Sequence, residues 1–207
     1  MPVVFRNPIA HEAAITSWCQ EALDFLERPE TTIAVEAWGF ASLPAPRGKE
    51  ASSNATGIAI HRSLVTGPLH RLRFLLFEEV AHVLLHREGV PAGEPVAEFF
   101  HELFATWAQF EGLINTGRIS RSQLRTAPIT RSDSREDVPY MLGKHLGGAL
   151  AGHEPNRCHF EAWLTSFGTQ SEWQALAKVA RDARDNLCSP VTTDAVVMEY
   201  RRAKAAA

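Results

Sequence analysis

The stretch RFLLFEEVAHVLLHREG, residues 73–89, constrains this chain more than any other. Gly67-Pro68 before it and Gly89 after it predict the start and stop of one long helix. At about 100° per residue, Leu69, Leu72, Leu76, Phe77, Val80, Val83 and Leu84 fill one broad side. Phe74, Ala81 and Leu85 carry the apolar surface further round. A narrow stripe remains, made of Arg71, Glu78, Glu79, His82 and His86, with Leu75 among them. A helix apolar almost all round belongs inside a domain. Carboxylates and imidazoles on such a helix must be paired, bound to metal or opened to a cleft.

The next predicted helix opens at Pro95 and runs through Phe110 towards Gly112. Val96, Phe99, Phe100, Leu103, Phe104, Trp107 and Phe110 cover most of it. Glu98, His101, Glu102 and Gln109 share its other stripe, with Glu94 at the start. The connection between the two helices is short, which predicts antiparallel neighbours. Facing stripes would bring four to five carboxylates against two or three histidines. Carboxylates that close repel one another unless protons or a cation neutralise them, and a divalent metal is the simplest neutraliser. The competing reading is that both stripes face water, where glutamates and histidines need no partner. Glu94 then only caps its helix, and His86 only complements a helix C-terminus.

The rest of the chain sets the frame. Its 207 residues, 45% hydrophobic, suit one domain or one with an appended subdomain. A net charge of −3 gives no overall reason to expect nucleic-acid binding. Arg118, Arg121, Arg125, Arg131 and Arg135 lie in the polar stretch 116–138 and could bind an anion or nucleic acid; the favoured reading is a solvated loop around a short helix. The three cysteines are far apart and form no CxxC pair, which favours a reducing compartment. Charges interrupt every apolar run, and MPVVFRNP is not a charged leader followed by a long apolar run. The expectation is a soluble, cytoplasmic protein without a membrane span.

Asn7-Pro8 predicts the start of a first helix, ended by Arg28-Pro29. Ile33, Val35 and Ala37 alternate as a strand, and Ile58 and Ile60 as a second, pairing as a small antiparallel sheet. Between them PRGKEASSNATG reads as a polar loop. Pro139 opens a helix whose Gly143, Gly147 and Gly148 let another element pack closely. Further helices follow to the C-terminus. The expected class is α+β, mainly helical. Its parts are a core at 1–115, an arginine-rich loop at 116–138 and a C-terminal helical subdomain at 139–207, forming one compact unit.

Strands, then an arginine-preceded helix, then a helix with acidic residues: the words GIAIHRSL, RFLLFEEVAHVLLHREG and EPVAEFFHELF resemble the ImmA/IrrE family of zinc metallopeptidases. The resemblance covers about residues 30–110. It implies a zincin-like active-site helix pair, with zinc as cofactor and a peptide or protein as substrate or partner. His82 matches the second zinc-binding histidine and Glu79 the general base. The third ligand falls at Glu94 or Glu98. His86 matches a histidine that is not a ligand. Glu78 stands where the first histidine of His-Glu-x-x-His belongs.

Glutamate at that position keeps two donors one turn apart but replaces a borderline nitrogen by a hard, charged oxygen. A site of Glu78, His82 and Glu94 or Glu98 favours iron, manganese or magnesium-like ions relative to zinc. The added negative charge also makes bound water less acidic.

Two further metal patterns stand beside this one. Glu79-x-x-His82 and Glu98-x-x-His101 are two words of the di-iron carboxylate type, which Glu78, Glu94 or Glu102 would complete. The ubiquinone-biosynthesis family with HDxxH places a glutamate at the spacing of His82 to Glu94, though the first histidine is again missing. Tyr140 and His145, on the glycine-containing helix, are candidate electrophilic helpers or plain surface residues.

The reading is therefore a metallopeptidase-like protein with an altered site, repurposed for binding or regulation. The alternatives are an active iron or manganese enzyme and a metal-free interaction protein.

Overall fold

The computed structural model describes residues 3–38, 50–90 and 95–115, with side chains in the last stretch from 101 onward, and the isolated positions 117, 120, 122, 128–129, 143, 147 and 191–192. The chain divides into two compact units, Met1–Val90 and Pro91–Ala207. The α+β, mainly helical class is what the elements show. No described helix is long and apolar enough to cross a membrane.

The first unit holds strands β1 (Val3–Phe5), β2 (Ile33–Trp38), β3 (Ala51–Asn54) and β4 (Gly57–His61) and helices α1 (Glu12–Phe25), α2 (Arg62–Val65) and α3 (Leu69–Arg87). The strands form one sheet in the order β1-β2-β4-β3. β1 and β4 both run parallel to β2, and β3 is antiparallel to β4. The sheet is thus mixed, and the expected antiparallel pairing of β2 with β4 is corrected. The reason lies in the segment read as a loop. Its ASSN word is an edge strand, without apolar alternation to reveal it. A hairpin then turns the chain back, with Asn54 Oδ1 accepting from the backbone N–H groups of Thr56 at 2.8 Å and Gly57 at 3.2 Å. Residues 39–56 supply the long connection that a parallel pair requires. Gly57 allows the pairing itself, because a Cβ there would lie 2.0 Å from the Ala34 carbonyl oxygen.

The first helix also starts later than expected. Asn7 does not cap it. Its side chain donates to the Ala37 carbonyl at 2.8 Å and accepts from the Ala37 N–H at 2.9 Å, extending the β1–β2 pairing beyond Phe5. The chain then turns through His11, at a φ of 65°, into α1.

Ile33, Val35 and Ala37 of β2 and Ile58 and Ile60 of β4 share one sheet face and are all buried. α3 lies against β3, β4 and α1, and Phe77 meets Phe25 of α1 with ring centroids 6.4 Å apart. Polar anchors fix α3 along its length. Arg73 donates to both carboxylate oxygens of Glu21, at 2.5 and 2.7 Å. Arg71 pairs with Glu50. In the last turn Arg87 donates to the carbonyls of Ala55 at 2.7 Å and Thr32 at 2.6 Å. The stop is the Schellman motif expected at Gly89. Gly89 has a φ of 74°, its N–H reaches the His86 carbonyl, and the Val90 N–H reaches that of Leu85.

In the second unit, α4 spans Pro95–Asn115, about one turn beyond its expected end. Every residue from His101 to Gln109 is buried, and the rings of Phe104 and Trp107 stand 5.8 Å apart. Gly147 packs directly on this helix: a Cβ there would lie 2.4 Å from the Leu103 carbonyl oxygen and 3.0 Å from the Trp107 nitrogen. That is the close approach its small side chain predicts. Strands β5 (Pro128–Ile129) and β6 (Val191–Thr192) pair antiparallel, so the polar stretch 116–138 contains a strand. The arginines at 118, 121, 125, 131 and 135, and the helices expected after residue 150, lie outside the described residues.

Candidate metal centre

α3 is buried on all sides over Leu76–Leu85, ten successive residues that include Glu78, Glu79 and His82. Their relative exposures are 7%, 8% and 9%, so these three side chains do not face water, whereas Arg71 at the start of the stripe does. Packing of α3 against the sheet and α1 accounts for the apolar positions of the run. Helical periodicity then places Glu78 and His82 one above the other, since residues four apart share a face. Glu79 is turned from Glu78 by about 100°.

α4 carries a comparable load. His101 is 4% exposed, Glu102 8%, Gln109 4% and Glu111 0%. Here too a solvated stripe is excluded for the described side chains. Buried carboxylates are costly unless neutralised or hydrogen-bonded, so such a concentration needs compensation.

Within the first unit, Glu78 and His82 are both buried and, four residues apart on one face of α3, offer a carboxylate and an imidazole, donors of the kind a divalent ion takes. In the second unit, His101 and Glu102 are buried on α4.

Glu78 and His82 are the donors the i, i+4 spacing singles out. Glu102 enters the sequence reading only as a supplementary carboxylate of the di-metal pattern. Glu94, Tyr140 and His145 lie outside the described residues, as does the side chain of Glu98. Glu79, next to Glu78, is also buried. His86, one turn beyond His82, is half-buried, and desolvation lowers its pKa.

Compared with models of known families, with curated proteins and with solved structures, the chain matches none.

Proposed function

We propose that Glu78 and His82 hold a divalent cation in a chain built like the ImmA/IrrE metallopeptidases, repurposed for binding or regulation of a protein partner. The burial of this carboxylate and imidazole one turn apart on α3 carries the reading. The Glu78-x-x-x-His82 spacing supports it, because it keeps the one-turn geometry of a zinc-peptidase helix while changing the first ligand. So does the placement of α3, a buried helix following a small sheet and fixed by arginines. A carboxylate in place of the first imidazole favours a harder ion than zinc, with iron and manganese ahead. It also weakens the acidification of bound water on which peptide hydrolysis depends. Glu79 keeps the general-base position implied by the resemblance, in a site whose ligand set suits retention of a partner segment better than its cleavage. The buried free thiol of Cys19 is in keeping with a cytoplasmic setting.

An active iron or manganese enzyme is the second reading, favoured by the same oxygen-rich donors. The test is elemental analysis of protein purified without a metal-affinity tag, alongside a peptidase assay. The expected result is about one iron or manganese ion per chain, diminished in Glu78→Gln and His82→Ala, with no peptide cleavage. Metal-dependent cleavage would favour the enzyme reading. Metal-free protein that takes up no added ion would leave an interaction protein.

A further inference from the structure

We propose that Trp38 and His61, side by side at one end of the sheet in the first unit, form a two-donor site for a carboxylate. The proposal is independent of the metal reading above.

Trp38 and His61 are register partners on the neighbouring parallel strands β2 and β4. Such partners point to the same face of a sheet, on strands ~5 Å apart. Side chains alternate along β2, so this face is opposite to the one carrying Ile33, Val35 and Ala37. α2 begins at the residue after His61 and lies against both strands. Trp38 is only 7% exposed, yet its indole Nε1–H has no acceptor among the described residues. An indole nitrogen only donates, and a buried donor without an acceptor is costly. Such a group calls for an acceptor from outside the fold.

The second donor follows from a helix cap. His61 is the N-cap of α2, and its Nδ1 accepts the backbone N–H of Ser63 at 3.3 Å, with Ser63 Oγ 2.6 Å from the same nitrogen. A ring nitrogen that accepts carries no proton, so the neutral imidazole holds its proton on Nε2. The hydrogen bonds of the ring among the described residues both fall on Nδ1, which leaves the Nε2–H for a ligand. His61 is half-buried, so this donor stands nearer to solvent than the indole of Trp38. Glu36, two residues before Trp38 on the same face, has Arg6 beside it at 3.8 Å to balance its charge.

Two donors without an acceptor suit a ligand that only accepts. A carboxylate has two such oxygens, and hydrogen bonds to it are about twice as strong as neutral ones. A water molecule has two protons of its own to place, and neither the indole nor the Nε2–H of this tautomer takes one.

Heteronuclear NMR of the full chain tests this through the tryptophan indole N–H signals. That of Trp38 is assigned by its loss in Trp38→Phe, or by through-space contacts to β4 if the variant does not fold. At pH 8 an ordinary imidazole is neutral and acetate is ionised. Acetate should shift the Trp38 signal saturably and leave the other indoles in place. His61→Asn keeps a capping side chain but withdraws the Nε2–H, and should weaken acetate binding at least ~10-fold. A tripeptide with a free C-terminus that binds more tightly than acetate assigns the carboxylate to a chain end, and one that binds no better assigns it to a small acid. An equal response to neutral acetamide, or unchanged acetate affinity in His61→Asn, would overturn the proposal. So would a Trp38 signal that acetate never moves, which would leave a trapped water as its partner.

Discussion

Glu78 and His82 stand one turn apart on α3, inside a run of ten residues with no exposed member. Charges away from water need compensation, and a cation held by this pair would add to the stability of the fold.

The first consequence is thermal. An ion present at about a hundred times its dissociation constant adds ~2.7 kcal/mol to the folded state. In a chain of this size that corresponds to ~5–10 °C in melting temperature. Removing the ion with a chelator should lower the Tm by that amount in a calorimetric scan, and His82→Ala should abolish the response to chelator. A chelator-insensitive Tm in metal-replete natural protein would contradict the site.

Restoring an imidazole at position 78 should change which metal is preferred. Glu78→His rebuilds a pair of nitrogen donors one turn apart, so zinc should bind at least ~10-fold more tightly while manganese weakens. Titration calorimetry of the two ions against both proteins reads this directly. Unchanged zinc affinity would mean that residue 78 does not reach the ion.

Gly147→Ala should destabilise the second unit. The new Cβ meets backbone, the Leu103 carbonyl oxygen at 2.4 Å and the Trp107 nitrogen at 3.0 Å. Neither can move without displacing α4. A cost of ~1–3 kcal/mol is expected for such overpacking, seen as a lower denaturant midpoint.

His86 gives a pH signature. Desolvation holds its folded pKa below the ordinary 6.5. Between those two values the unfolded chain binds more protons than the folded one, so stability rises with pH. The contribution is complete above the unfolded value and is lost as pH falls through the folded one. Denaturation curves on the metal-free protein below neutrality should show this slope, and His86→Gln should flatten it. An identical slope in the variant would assign it to other groups.

Cys19 should be inert in the folded protein. Burial pushes its thiol up to about 12, so almost none is thiolate, the reactive form, at neutral pH. Iodoacetamide should modify Cys19 in denaturant and leave it intact in buffer, as peptide mass mapping would reveal. Fast labelling under native conditions would mean that α1 opens readily.

The sequence by itself determined α3: where it starts, the glycine that stops it and the shared face of Glu78 and His82. Those features follow from patterns within a few residues, because helix geometry and capping are local. The alternation of Ile33, Val35 and Ala37, and of Ile58 and Ile60, likewise marked the strands and their buried face. It could not give their direction. A strand's periodicity is the same whichever way its neighbour runs, and here an apolar-poor edge strand, β3, turned the chain back before β4. β1 was too short to show a pattern at all. The surroundings of Glu78 and His82 are the same problem at the site. A polar stripe reads alike whether it faces water or the interior, and only tertiary packing buried these two side chains.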